Sequence, residues 1–568
     1  MRSVSVLVRT IAAVLSSRRG VRARVRPFAD RPASRRSARL SALLLAAALI
    51  SMMAPAALER AQNPTAAASP GAAAPSASTQ QPVGASQAGQ AATPEQEQQY
   101  RAAMEDADLK IQAEVEAHSE LMKNLEYLST EIGPRLTGSP QMQKASDWTL
   151  ARFKDYGIDA HLETDNVPHA WYRGNDKAEI VSPIEHIIGV RSMGWSKATS
   201  GEVSGPVYFI GDDPEAEVAR LKGKLKGAIL CLGRPVQSVN VEAENAYDAV
   251  IPPPRGVSSR RTGPAGGFAA FQARMRVMPQ LAEAGVAAIL RDSGKPDNLF
   301  NMSGAGMPYQ PSILPEAFAT HEDYSLLYRL SQVGSVTLKI DLKGTFSPGP
   351  EPASITVAEI KGSTMPEQRV IVGGHLDSWD LGQGSLDNGT GAMATLEAAR
   401  ALKALGWHPK RTITFILFTG EEEGGVGVRK FLRDHETEIP KIDGVLIHDT
   451  GTGRVFSIGL ENLWDTAPLF MRIYQPLQEV FDLKPPEARY YGGSDHVAFL
   501  SAGVPAYFCV QLPAGYREAH HSQTDTFDKV IPDQINEGAA LLAAWAWNTS
   551  ELPESLPHHA SRGLRLPD

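Results

Sequence analysis

Cysteine is almost missing from this chain: Cys231 and Cys509 are the only two in 568 residues, which excludes a disulfide framework as the source of stability. Aromatic residues make up only 7%, yet 42% of residues are hydrophobic and 21% charged, the balance of an ordinary folded protein and not of a disordered chain. Long apolar runs are lacking as well. The run Leu40 to Leu49 (LSALLLAAAL) falls well below the roughly 20 residues needed to span a bilayer. Lysine is absent from residues 1–61, which carry twelve arginines against the acids Asp30 and Glu59. With that segment set aside, 44 basic face 62 acidic side chains and the formal net charge moves from −8 to −18. A chain that acidic has no global attraction for nucleic acid. Catalytic signatures are missing in turn. There is no G-x-S-x-G nucleophile elbow and no G-x-x-x-x-G-K-[ST] phosphate loop, and His435-Glu436, which starts like a zincin motif, meets Ile439 where the second histidine belongs. Serine-hydrolase and P-loop chemistry are therefore excluded.

What is present divides the chain into segments. An Arg-rich stretch, the short apolar run and the small residues Ala54-Pro55-Ala56 read in that order as an export signal occupying residues 1–61, cleaved near Ala56 to Ala61. No stable membrane span is expected after cleavage. Ser34-Arg35-Arg36 is compatible with a twin-arginine route, and export implies a periplasmic or secreted protein. Residues 62–94 are almost entirely Ala, Pro, Ser, Gln, Gly and Thr; they cannot bury enough apolar surface to offset their ordering entropy and read as a linker. Residues 95–181 read as a helical part. One helix is expected through Leu109, Ile111, Val115, Leu121, Leu125 and Leu128 to Ile132-Gly133-Pro134, a second from Gln141 to Tyr156, then a strand from Asp159 to Glu163. Residues 182–343 change to short β-like runs such as Val207 to Ile210 and Ala228 to Leu232, with an exposed loop at Pro252 to Arg261. Residues 344–550 alternate: strands at Val370–Gly373, Thr412–Phe418, Gly444–Ile447 and Pro505–Val510, and a helix at Gly391–Leu405. That alternation predicts an α/β domain with a mostly parallel sheet covered by helices. Residues 551–568 are read as a polar tail, with His558 and His559 solvated.

In such sheets functional groups collect beyond the carboxyl ends of the strands. There the sequence places His375 and Asp377, then Asp387, Glu421 and Glu422, Asp449, and His521. Two imidazoles and several carboxylates without cysteine suit zinc and remain open to manganese or cobalt. A lone catalytic zinc needs three protein ligands, and this set is large enough for two ions. Asp387, in the middle of the set, is the natural bridge between them.

Gly374-His375-Leu376-Asp377-Ser378, Ser385-Leu386-Asp387-Asn388, Glu421-Glu422-x-Gly and His521-Ser522-x-x-Asp525-Thr526 resemble the cocatalytic zinc exopeptidase family. GHLDSWDLGQGSLDNGTGA at Gly374 to Ala392, EEEGGVG at Glu421 to Gly427 and DTGT at Asp449 to Thr452 resemble its carboxypeptidase Q branch. The similarity spans roughly Glu116 to Asn548 and includes Ile132-Gly133-Pro134-Arg135-Leu136-Thr137-Gly138-Ser139. The resemblance implies a zinc-exopeptidase (phosphorylase/hydrolase-like) fold with an inserted β-rich protease-associated domain at residues 182–343, forming part of the cleft wall. It implies two zinc ions per chain, one held by His375 and Asp449, the other by Glu422 and His521, with Asp387 bridging. Asp377 would orient His375, Glu421 would be the general base, and the Asp387–Asn388 peptide would be cis. Short peptides are the implied substrates and a homodimer the implied assembly. Glu423 stands where that branch usually has glutamine, and His448 where it has another residue. Asp495, His496 and His520 are expected behind the ligands or facing substrate, with His520 a rival to His521. A non-catalytic binding protein on the same fold, or an amidohydrolase acting on blocked amino acids, are the alternatives; the complete ligand set favours the peptidase.

Overall fold

The computed structural model describes residues 93–211, 213–236 and 268–559. The export signal, the linker up to residue 92, the Pro252–Arg261 loop and the end of the tail lie outside the described residues.

The first helix, Pro94–His118, starts where Thr93 and Gln96 form a reciprocal capping box: the Thr93 hydroxyl accepts from the Gln96 N–H at 3.3 Å, and the Gln96 side chain accepts from the Thr93 N–H at 2.8 Å. Its buried stripe is Met104, Ala107, Asp108, Ile111 and Val115, spaced by three and four residues. Leu109 falls off that stripe and is 55% exposed. The single helix expected through to Leu128 is instead broken after His118. Ser119 turns its hydroxyl to the N–H of Leu121 at 3.1 Å, a short helix runs Leu121–Glu126, and a wider π turn carries Tyr127–Ile132.

The main sheet has seven strands. Met365–His375 lies at its centre, parallel to Arg411–Phe418 on one side and to Ile442–Ile447 on the other, and Ala506–Gln511 continues the parallel run beyond Ile442–Ile447. The edges are antiparallel: Glu351–Ile360 and then Asp159–Val167 outside Arg411–Phe418, and Val455–Gly459 outside Ala506–Gln511. The parallel expectation thus holds for the four central strands. Residues 411–418 and 442–447 are buried at every position, as strands covered on both faces must be. Helix Thr390–Ala404 is buried along almost its whole length, packed against the sheet and against helices Pro94–His118 and Pro532–Ser550.

The chain between the first and second strands of that sheet builds a second, eight-stranded sheet from Lys177–Ser182 to Thr337–Asp341. Its strands Val203–Ile210, Ile229–Leu232, Ala288–Asp292 and Glu316–Ala319 are parallel neighbours; helices Pro214–Arg220 and Phe268–Glu283 lie in the first two connections, and helix His321–Val333 leads from the last of them to Thr337–Asp341. This unit is therefore α/β rather than simply β-rich, because parallel neighbours need crossovers. The polar-tail reading also changes. Leu552 and Leu556 are each 1% exposed in the main core; His558 is exposed as expected, with Nε2 2.9 Å from the Ile442 carbonyl, while His559 is partly buried, with Nε2 2.9 Å from that of Leu500.

Candidate metal centre

The parallel strands end on one side, and their ends carry the expected groups to one place. His375 closes Met365–His375, Glu421 and Glu422 follow Arg411–Phe418, and Asp449 follows Ile442–Ile447. Asp387 comes from the turn before helix Thr390–Ala404, and His521 from the loop after Ala506–Gln511. Gly374 and Gly391 let strand and helix approach: a Cβ on Gly391 would lie 2.1 Å from the His448 carbonyl oxygen, and one on Gly374 2.9 Å from the Gly391 backbone.

Asp387 is the centre of the cluster. Its Oδ1 lies 3.5 Å from His375 Nε2 and its Oδ2 3.7 Å from His521 Nε2. Around it, His375 Nε2 approaches Asp449 Oδ1 at 3.2 Å, and His521 Nε2 approaches Glu422 Oε2 at 2.8 Å. The tautomers follow from the other nitrogens. His375 Nδ1 faces the Asp377 carbonyl at 3.1 Å, and His521 Nδ1 faces the Met302 carbonyl at 2.9 Å. A carbonyl only accepts, so both Nδ1 atoms carry a hydrogen, which leaves Nε2 of each ring as the atom turned to the cluster. Asp377 contacts His375 Nδ1 through its backbone carbonyl. Its carboxylate, 3.6 Å from the ring, spans to the N–H groups of Glu421 (3.4 Å) and Glu422 (3.3 Å).

The donor set fits a pair of divalent cations. Asp387 Oδ2 and Glu422 Oε1 are buried with no hydrogen-bond partner among the described residues, a costly state unless a cation satisfies them. Two groups of ligand atoms close enough to share an ion meet at Asp387: His375, Asp387 and Asp449, and Asp387, His520 and His521. Electrostatics agree. Burial alone would lower the His375 pKa, but the Asp449 charge and hydrogen bonds to Asp377, Asp387 and Asp449 carry it well above the usual imidazole value. Burial pushes the Asp387 carboxyl up, and the contact with His375 and the charges of His520 and His521 overcome that and hold it below the carboxylate range. Desolvation, reinforced by the charges of Asp449, Asp495 and Asp377, pushes Glu421 well above its ordinary value.

The remaining candidates divide. His520 stacks on His521 with ring centroids 3.7 Å apart, and its Nε2 is 3.9 Å from Asp387 Oδ2. It lines an open cleft of about 590 Å³ together with Asp387, Glu421, Glu422, Asp449 and His521. His496 does not face that cleft. It is fully buried, 4.8 Å from the Phe508 ring and 3.8 Å from Glu461, and burial pushes its pKa down to about 3. Asp495 is buried in the field of Asp377 and Asp449. His448 is buried as well and contributes its carbonyl, which accepts from Asn388 Nδ2 at 2.8 Å. The Asp387–Asn388 peptide is cis. Among the described residues, none of those lining the cleft belongs to 182–343; that unit reaches the site from behind, through Met302.

Three supporting residues had no role assigned from sequence. Tyr516 donates its hydroxyl to Asp387 Oδ1 at 3.0 Å. Asp525 accepts the N–H groups of Leu386 (2.6 Å) and Asp387 (3.2 Å), and burial pushes its pKa up to about 7. Arg135, fully buried, donates to the carbonyls of Leu376, Gln383 and Gly384 and so frames the loop between His375 and Asp387. Arg135 and Asp525 stood inside quoted motifs; Tyr516 carried no local signal.

Known proteins resemble this arrangement along most of the chain. Carboxypeptidase Q from Homo sapiens is 30% identical over 450 residues, 78% of this chain and 87% of its own, and that from Rattus norvegicus is 31% identical over 446 residues, 77% and 86%. The crystal structure of the peptidase M28 precursor from Shewanella amazonensis SB2B superposes with a TM-score of 0.67 at 26% identity, covering 81% of this chain and 100% of that one. The zinc aminopeptidase of Bacillus subtilis shares the fold, with a TM-score of 0.53 at 17% identity over 76% of this chain and 94% of that one. The profile of peptidase family M28 matches residues 356–546. With strand-end histidines and carboxylates converging on Asp387 in this fold, the chain belongs to peptidase family M28.

Proposed function

We propose that this chain, a zinc-dependent exopeptidase of family M28, hydrolyses the terminal bond of short peptides or dipeptides with two zinc ions bridged by Asp387. The observation that carries the reading is the position of Asp387, whose two oxygens face the Nε2 atoms of His375 and His521 at 3.5 and 3.7 Å. His375 and Asp449 would hold one ion, Glu422 and His521 the other. Two bound zinc ions supply Lewis-acid polarisation of the scissile carbonyl and a water of lowered pKa. Glu421, in the cleft wall beside the cluster, takes the proton of the attacking water and returns it to the leaving amine. Asp377 keeps Glu421 and Glu422 in place by accepting from both backbone N–H groups. His520, stacked on His521 and exposed to the cleft, faces the substrate. The second sheet is the inserted protease-associated unit, and the arginine-rich leader sends the protein out of the cytoplasm.

Glu421→Gln tests the assignment. Zinc content should stay at that of the parent while turnover falls about 10²- to 10⁴-fold, the usual contribution of a positioned proton-transfer group. Undiminished turnover with zinc intact would remove Glu421 from the role of base. Asp387→Ala should lose both zinc and turnover.

A further inference from the structure

The segment that follows strand Ala288–Asp292 in the second sheet reaches across to the loop that carries His521, and grips it at four residues. The Met302 N–H donates to the His521 carbonyl at 2.8 Å, while the Met302 carbonyl accepts from His521 Nδ1 at 2.9 Å. The Phe300 N–H donates to Gln523 Oε1 at 3.0 Å, and Gln523 Nε2 donates to the Asn298 carbonyl at 2.9 Å. Lys295 Nζ donates to the His520 carbonyl and lies 3.5 Å from that of Glu518. The segment is itself held by its own sheet. The Glu322 carboxylate, on helix His321–Val333, accepts the N–H groups of Asp297 (2.8 Å) and Asn298 (3.2 Å), and Phe300 and Met302 are buried in an apolar cluster with Trp379.

His521 needs such a grip. Its backbone φ is +57°, a left-handed conformation that a non-glycine residue keeps only when its surroundings impose it. His375 differs: it sits at the end of a central strand, where the sheet fixes its backbone.

We infer that residues 295–302 of the second sheet form a positioning clamp for the metal centre, with Lys295 and Gln523 holding His521 in its ligand pose, so that the second sheet sets the affinity of the ion on the His521 side and leaves the His375 side alone. Lys295 and Gln523 are positioning residues; neither lines the cleft. The inference rests on the two-zinc reading above.

The test measures zinc binding rather than turnover. Parent, Lys295→Met, Gln523→Ala and Lys295→Arg proteins are loaded with zinc and titrated with a chromophoric chelator. The parent should release two zinc ions per chain. In Lys295→Met and Gln523→Ala one of the two should bind 10- to 100-fold more weakly, the range seen when support behind a ligating histidine is lost, with the other unchanged. Lys295→Arg, which restores a donor to the His520 carbonyl, should return toward the parent. Equal weakening of both ions, or no weakening of either, would overturn the clamp while leaving the two-zinc reading standing. A parent that binds no zinc would sink that reading instead. Glu322→Gln, outside the gripped loop, carries the test should either loop variant fail to fold; it too should weaken one ion selectively.

Discussion

Replacing Arg135 by methionine strips the donated hydrogen bonds that its guanidinium makes to the carbonyls of Leu376 (2.6 Å), Gly133 (3.0 Å), Gln383 (3.0 Å) and Gly384 (2.6 Å). The side chain is 0% exposed. Burial pushes its pKa down to about 10, against the pull of Asp525, Asp377 and Asp387, so it is charged at pH 7. Each buried carbonyl left without a donor costs about 1–3 kcal/mol. Water entering the vacated space offsets part of this, and about 4 kcal/mol is the expected net loss, a large share of the roughly 5–15 kcal/mol by which domains are stable. Urea unfolding at pH 7, run in chelator so that zinc binding does not contribute, reads it directly. Arg135→Lys keeps the charge but not the planar fork and should fall between parent and Arg135→Met. An Arg135→Met protein within about 1 kcal/mol of the parent would refute the view that this guanidinium frames the loop between His375 and Asp387.

Stability should also depend on pH through Asp108, on the first helix, whose carboxylate accepts from Asn548 Nδ2 at 3.0 Å. Burial raises its pKa from 3.8 to about 8, so between those values the unfolded chain has released a proton that the folded chain retains. Stability therefore falls as pH rises through that window. Asp108→Asn should match the parent near pH 4 and pull ahead by up to about 1.4 kcal/mol per pH unit toward pH 8, followed by thermal unfolding at several pH values; a gap that does not widen with pH would contradict the assignment. Tyr516→Phe removes the hydroxyl that donates to Asp387 Oδ1. It should weaken zinc binding by about 10- to 100-fold without changing the fold, and chelator competition would expose an unaltered affinity.

How much of this was legible in the sequence depended on whether the signal was local. The strands at 370–373, 412–418, 444–447 and 505–510 are written in short apolar runs, and the structure forms a strand at each. The gathering of His375, Asp387, Glu421, Glu422, Asp449 and His521 could be anticipated because each stands just after a strand or before a helix, where a parallel sheet collects its functional groups. What periodicity could not convey was the break after His118, set by one Ser119 hydroxyl, or the antiparallel edges, whose partners are remote in sequence. His496 looked available because it follows Asp495 in a Gly- and Ser-rich stretch, yet the ring of Phe508 covers it. Met302, Lys295 and Tyr516 support the site through contacts more than 120 residues away in sequence, and nothing in their neighbourhood marks them.

Zinc stoichiometry of the purified protein, measured on the same samples as hydrolysis of a panel of dipeptides, amino-acid amides and amino-blocked peptides, tests the central claim most directly. The account predicts two zinc ions per chain and cleavage of unblocked short peptides that a chelator abolishes and zinc restores. One ion or none after zinc reconstitution, or cleavage that survives its removal, would contradict it.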